Sequence, residues 1–417
     1  MPDAPPALPL VHRVLAGPGS GKTRLLIREL RHRLEHGYPP ASLLGITFTR
    51  RAAHEMRTRL RAPLLHGEAE IVAIAPWIGT FHALARRIQA ETGRLRQPLD
   101  LDTLIPEATT TLQEGALPSW IPALRFIAVD EAQDLDSTQI RFLLELRRHA
   151  SNCELLVVGD PDQAIYGFRQ ASPHFLLRLP ELCESPCRTL TLSENHRSAR
   201  RIVETARAIL SPSSPPLAPC HTLIPTRPEA HPAIRHLTAD SREEEAALIL
   251  SEVRTMLAVG VSLSHQAILV RTRAQLALLR QEATRWNLPI YTPPADERLD
   301  GPRPHTVPED ALTVLTIHQA KGGEWTVVYL AGCQDGLLPH VAAKTHEAYE
   351  EERRLLYVAV TRAKQLLWIC RHGPPSPFLE ATLRDPFDMT EERDLRHRTV
   401  EHREGWLKRL WGWIAVT

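Results

Sequence analysis

The octapeptide Ala16-Gly17-Pro18-Gly19-Ser20-Gly21-Lys22-Thr23 constrains this chain more than any other stretch. It follows a short apolar run, Val11 to Leu15, and opens a helical pattern from Thr23 to His36 that Gly37 and the Pro39-Pro40 pair stop. Strand, glycine-rich turn and helix in that order form the setting a phosphate loop requires. Gly17, Gly19 and Gly21, with Ser20 between them, let the backbone curl so that its N–H groups point at phosphate oxygens. The helix N-terminus then adds a favourable dipole. Lys22 is placed to reach the terminal phosphates and Thr23 to ligate Mg²⁺. Ala16 stands where such loops commonly begin with glycine.

A nucleotide loop needs a hydrolytic partner, and two strand ends supply candidates. Phe126 to Val129 is an apolar run closed by Asp130 and Glu131. Asp130 is suited to hold Mg²⁺ through water, and Glu131 to polarise the attacking water. Leu155 to Val158 is followed by Gly159-Asp160-Pro161-Asp162-Gln163, where Gln163 is suited to sense the γ-phosphate. Further strands are expected at Leu43–Thr47, Ala267–Val270, Val314–Ile317, Val327–Leu330 and Leu366–Ile369. Helices are expected at Arg51–Arg61, Phe81–Ala90, Ser198–Leu210, Arg242–Val259, Arg273–Trp286 and Glu347–Val360. This alternation predicts an α/β fold of parallel sheets with crossover helices. Periodicity is poor only between Thr92 and Pro122. A second alternation starts near Leu190. With 417 residues the chain exceeds one ordinary core, so two similar sheets meeting near residue 192 are the economical arrangement.

The remaining bulk features exclude more than they assert. No apolar run approaches the roughly 20 residues that span a bilayer, and no secretory signal is visible, so a cytoplasmic protein with no membrane partner is expected. The formal net charge of +1 neither demands nor forbids nucleic acid. Nine arginines between Arg24 and Arg61 fit either a basic groove or solvated helix faces. Six scattered cysteines suit reduced thiols, and the spacing of Cys183, Cys187, Cys220 and His221 does not match the usual zinc pairs.

Six further runs are specific in combination. They are Thr47-Phe48-Thr49-Arg50-Arg51-Ala52-Ala53-His54-Glu55-Met56, Gly79-Thr80-Phe81-His82, Gly159 to Arg169, Glu194-Asn195-His196-Arg197-Ser198, Thr316 to Trp325, and Glu350 to Ala363. In this order, between residue 16 and about residue 380, they resemble the motifs of UvrD/Rep-type superfamily 1 DNA helicases. The resemblance implies two RecA-like P-loop NTPase domains, over residues 1–192 and 193–385, with the nucleotide cleft between them and a helical tail over 386–417. It implies ATP and Mg²⁺ as cofactors and single-stranded DNA as partner. Arg197 and Arg362 are then expected at the γ-phosphate as arginine fingers, and Glu324 at the ribose. On the DNA side the resemblance implies Phe48, Thr49, Thr80, His82, Tyr166, Phe168 and Arg169, with Arg271 in the second domain and His318 coupling Gln163 to the strand. Bases stack on aromatic faces without sequence preference. Simple core packing is the alternative for Phe48 and Tyr166, and pairing with Asp130 or Glu131 is the alternative for Arg169.

Three departures qualify what the resemblance implies. No glutamine precedes the phosphate loop to read adenine, and His196 stands where the family has a stacking tyrosine, so weak discrimination among nucleoside triphosphates is expected. The accessory insertions are nearly gone: under fifty residues separate His82 from Asp130, and a proline-rich segment of modest length links Arg271 to His318. A bare translocase that relies on a protein partner for strand separation is therefore expected. An ATP-switched DNA-binding subunit of a larger repair or defence complex is the alternative. Gln170, Gln319 and Gly323 are milder replacements. No nuclease constellation is visible. Three tryptophans with Leu407 and Leu410, over residues 406–414, suggest a helix that packs back on the second domain or docks a partner.

Overall fold

The computed structural model describes residues 11–61, 76–150, 152–167, 173–183, 185–210, 223–227, 233–293 and 310–379. The chain forms two compact units that divide between Ser193 and Glu194.

The first unit runs β1 (Val11–Ala16), α1 (Lys22–Glu35), β2 (Leu43–Thr47), α2 (Arg50–Arg61), β3 (Trp77–Thr80), α3 (Phe81–Glu91), α4 (Leu101–Gln113), β4 (Phe126–Val129), α5 (Ser137–Arg148), β5 (Glu154–Gly159), α6 (His174–Leu182) and β6 (Cys187–Leu192). Its six strands lie in the order β3-β2-β4-β5-β1-β6, all parallel. Both faces of the sheet are covered, which explains the near-continuous apolar strands. Ile127, Val129, Leu155 and Val157 face one core with Phe81 and Phe142. Phe126, Ala128, Leu156 and Val158 face the other with Leu26 and Leu30 of α1.

The second unit runs β7 (Glu194–Asn195), α7 (Arg200–Ile209), β8 (Ile224–Pro225), β9 (Ile234–Thr238), α8 (Arg242–Ala258), β10 (Gln266–Val270), α9 (Arg273–Arg285), β11 (Ile290–Tyr291), β12 (Leu312–Thr316), β13 (Trp325–Leu330), α10 (His346–Val360) and β14 (Ala363–Arg371). Six of these strands form a second parallel sheet, β11-β12-β10-β13-β14-β9, while β7 and β8 pair separately. Two parallel sheets of this build are the architecture of RecA-like domains.

The structure adds elements where the sequence pattern is weak. The poorly periodic region contains α4, whose N-terminus is held by the Asp100 carboxylate accepting from the Asp102 N–H. Pro106 sits inside this helix, and buried Leu104, Ile105, Ala108 and Leu112 compensate for the lost backbone bond. Leu190 belongs to β6, an edge strand of the first sheet, so the second alternation begins at Glu194 rather than at Leu190.

His236 on β9 carries a pH signature. Burial, and then the neighbouring Arg371 guanidinium, lower its imidazole from 6.5 to about 4. The folded protein thus resists a proton that the unfolded chain accepts, so stability is lost as pH falls from about 6.5 towards about 4. The loss is at most about 3 kcal/mol. Melting curves between pH 7.5 and pH 4.5 should flatten in His236→Gln; curves parallel to wild type would contradict this assignment.

Candidate nucleotide and nucleic-acid site

The phosphate loop joins β1 to α1 in the first unit. Gly19 and Gly21 adopt φ of 68° and 85°, where a side chain would be strained. Gly21 caps α1 without a side-chain acceptor, and no acidic residue occupies the first turn. The first-turn N–H groups are therefore left for an anion. Ser20 Oγ donates to the Gly17 carbonyl at 2.7 Å. Lys22 Nζ folds over the loop and donates to the carbonyls of Ala16 and Gly17, both at 3.1 Å.

Across from the loop, β4 delivers Asp130 at the end of a fully buried strand. Thr23 Oγ1 donates to Asp130 Oδ2 at 3.3 Å. Asp130 is itself buried. That burial, and after it the Glu131 carboxylate, raises its carboxyl well above the ordinary range, against the pull of Lys22. A hydroxyl and a carboxylate so close form the hard-oxygen donor pair that Mg²⁺ takes, so the residues fit that ion. Glu131 adopts φ of 52°, one of two non-glycine residues in the left-handed region among the described residues. Such a backbone costs on the order of 1–3 kcal/mol and is held only where the surroundings enforce it.

The Glu131 N–H donates to Asp130 Oδ1 at 2.9 Å and its carbonyl accepts from the Asp134 N–H at 3.0 Å, while a residue that sequence reasoning passed over holds its carboxylate. Gln133 Nε2 donates to Glu131 Oε2 at 2.5 Å, and Gln133 Oε1 accepts from the Asp160 N–H at 3.0 Å. Gln163 Nε2 in turn donates to Asp160 Oδ2 at 2.8 Å. A Cβ at position 159 would come within 2.5 Å of Gln133 Oε1, so Gly159 is the space Gln133 needs. Thr23, Asp130, Glu131, Gln133, Asp160 and Gln163 therefore form one connected path. The only hint of Gln133 in the sequence is its place two residues after Glu131.

The expected DNA residues of the first unit come from the carboxyl ends of neighbouring parallel strands, where open α/β sheets place ligands. Phe48, after β2, stacks on Tyr166, with ring centroids 5.7 Å apart and planes inclined by 24°. Both rings are half-buried. Thr49 Oγ1 accepts from the Ala52 N–H, and Thr80 Oγ1 caps α3 by accepting from the Ala83 N–H. Thr80 is buried, so its hydroxyl is spent on the helix start. His82 is half-buried on α3. Phe168, Arg169 and residues 406–414 lie outside the described residues.

In the second unit two arginines of the expected site are held by partners within the unit. Arg271, expected on the DNA strand, forms a two-pronged pair with Glu352 of α10, with Nε at 3.1 and 2.9 Å from the two carboxylate oxygens. Glu352 is buried and also accepts from the His340 N–H. Arg271 therefore ties β10 to α10. Arg362, expected at the γ-phosphate, is only 2% exposed. Its guanidinium donates to the carbonyls of Val358 and Gly323 at 2.9 and 3.2 Å and to Thr361 Oγ1 at 3.0 Å. Arg197 is more accessible and pairs with Glu324 at 2.6 Å. Glu324, expected at the ribose, also takes Lys364 Nζ at 2.8 Å. Burial pushes the Glu324 carboxyl up, yet Arg197 and Lys364 together hold it below the usual carboxylate range. His318 follows β12 and is half-buried.

Comparison with known proteins agrees with this arrangement. Residues 8–169 match an AAA domain family, and residues 190–293 and 302–373 match the UvrD-like helicase C-terminal domain. The ATP-dependent DNA helicase UvrD2 of Mycobacterium tuberculosis (strain ATCC 25618 / H37Rv) is 23% identical over an alignment that takes in 91% of this chain and 81% of that protein. The ATP-dependent DNA helicase PcrA of Leuconostoc citreum is 26% identical over 66% of this chain and 47% of that protein, so the match spans about half of PcrA. No helix among the described residues is long and apolar enough to cross a membrane. With both sheets, the phosphate loop and the ordered motifs in place, the chain belongs to the UvrD/Rep-type superfamily 1 DNA helicases.

Proposed function

We propose that this chain is an ATP-driven translocase that moves 3′ to 5′ along single-stranded DNA and serves DNA repair, replication or recombination. The observation that carries the reading is the path from Thr23 through Asp130, Glu131, Gln133 and Asp160 to Gln163. It starts at the phosphate loop and ends three residues before Tyr166, which stacks on Phe48. Chemistry at one end and grip on a base at the other are thereby mechanically joined.

In this reading Lys22 leaves the carbonyls of Ala16 and Gly17 to reach the phosphates, and the bare first turn of α1 donates to them. Thr23 and Asp130 would hold Mg²⁺, which would supply positive charge for the phosphate oxygens. Glu131 takes a proton from the attacking water, its position fixed by Gln133. Gln163 reports the state of the γ-phosphate to the Tyr166 loop. Arg197 parts from Glu324 to act on the γ-phosphate, Glu324 then being freed for the ribose, and Arg362 acts as the second finger. We assign residues 1–192 to an ATP-binding RecA-like domain, 193–385 to a second RecA-like domain and 386–417 to a helical tail, with cytoplasmic residence. The short connections in place of the family's insertions favour a motor that takes a protein partner for strand separation.

Stacking on an aromatic ring contributes about 1–3 kcal/mol per base. Phe48→Ala and Tyr166→Ala should each raise the Kd for a fluorescent dT oligomer by about 5- to 150-fold, by anisotropy. Phe48→Leu, which keeps the apolar volume, should lose most of the same affinity. Unchanged affinity in all three would make the pair a packing contact and sink this assignment.

A further inference from the structure

We propose that the first unit carries a second nucleic-acid subsite, a pocket that takes one unstacked nucleotide of the bound strand, with its phosphate on arginines and its base against Trp77. The inference rests on the reading of the chain as a DNA motor and extends its track beyond Phe48 and Tyr166.

The pocket has a volume of about 410 Å³, within the range that binds small ligands. Arg50, Arg57, Arg86, Arg87, His82 and Trp77 line it, and among the described residues no acidic side chain does. Such one-sided charge inside a concave wall focuses positive potential. Arg87 is balanced by Glu91, at 2.7 Å, and lies over the Trp120 ring. Among the described residues Arg57 donates only to the Ile78 carbonyl, at 3.0 Å, and meets no carboxylate. Arg86 is exposed and forms no ion pair among the described residues. Among the described residues, Arg57 and Arg86 thus bring two positive charges to a hollow whose lining carries no carboxylate.

The rest of the wall suits a base. Leu99, Leu101 and Leu104 give an apolar floor from α4 and the segment before it. Trp77 is half-buried, and its indole lies across the β3 backbone at Gly79, where a Cβ would come within 2.5 Å of the ring. Gly79 is therefore what allows the indole to lie against the strand as part of the pocket wall. Aromatic faces beside a basic groove are how single strands are held without regard to sequence. His82, at the rim, belongs to the same strand-end cluster as Thr80, so the pocket continues the expected track. Four arginines with an aromatic and leucines are more than a phosphate alone needs, which is why a whole nucleotide is assigned.

The test is dT-oligomer binding to the full chain by anisotropy between 50 and 200 mM salt, with thermal melts as folding control. Arg86→Glu and the double variant Arg57→Ala/Arg86→Ala should weaken binding at low salt. The double variant should lower the salt slope by about 0.7 for each phosphate that is no longer neutralised. Trp77→Leu should weaken binding by about 5- to 150-fold with the slope kept. If Phe48→Ala weakens binding while Arg86→Glu, the double variant and Trp77→Leu match wild type, the pocket is refuted and the motor reading stands. If wild type does not bind the oligomer at all, both fall.

Discussion

Glu131→Gln should cut the DNA-stimulated rate of ATP hydrolysis by about 10²- to 10⁴-fold, the usual contribution of a positioned general base. Nucleotide affinity should change little, because the phosphates are held by the loop, Lys22 and the first turn of α1. The substitution keeps the side-chain volume and an oxygen that accepts from Gln133 Nε2, and it leaves the backbone bonds of residue 131 to Asp130 and Asp134 in place. What is lost is the capacity to take a proton. A single-turnover assay separates this from a binding defect: fluorescent nucleotide should bind normally and persist unhydrolysed. Hydrolysis within a fewfold of wild type would remove Glu131 from the role of base. Gln133→Ala should give a milder loss, since it leaves Glu131 in place without the partner that fixes it.

The two arginines of the second unit should separate under mutation. Each, as an arginine finger, is worth about 10³- to 10⁵-fold in rate. Arg197→Ala should lose the rate with little loss of stability, because its pair with Glu324 is partly exposed and contributes less than about 1 kcal/mol. Arg362→Ala should lose both. Its guanidinium satisfies two carbonyls and a hydroxyl inside the unit, and leaving them unpaired costs on the order of 1–3 kcal/mol. Arg362→Lys should not restore activity, since an ammonium cannot span three acceptors in a fork. Melting temperature and ATPase rate, measured side by side, test this. An Arg362→Ala protein as stable as wild type would contradict the buried role.

Much of the fold was legible because parallel strands covered on both faces leave uninterrupted apolar runs, as in Phe126–Val129 and Leu155–Val158. The phosphate loop was legible because its geometry depends on glycines fixed by spacing. Less legible were the edge strands. Most of β6 is exposed, and its sequence lacks the apolar run that marks a central strand. Pro106 hid α4, since a proline in mid-helix is outweighed only by packing that the sequence does not display. The partners that hold Arg271 and Arg362 within the second unit were illegible for a related reason. An arginine in a motif looks the same whether it faces a ligand or a partner such as Glu352, which is 81 residues away in sequence. Gln133 was passed over because the fold sets its distant partner, a backbone N–H of another strand's loop, and its space, which comes from Gly159.

The central claim, that hydrolysis in the first unit is driven by DNA on its strand-end loops, is tested most directly by steady-state ATPase rate with and without single-stranded DNA, on wild type and Lys22→Ala. Strong stimulation by DNA in wild type, absent in Lys22→Ala, is the expected result. A basal rate that DNA leaves unmoved would contradict it and point instead to an ATP-switched DNA-binding subunit.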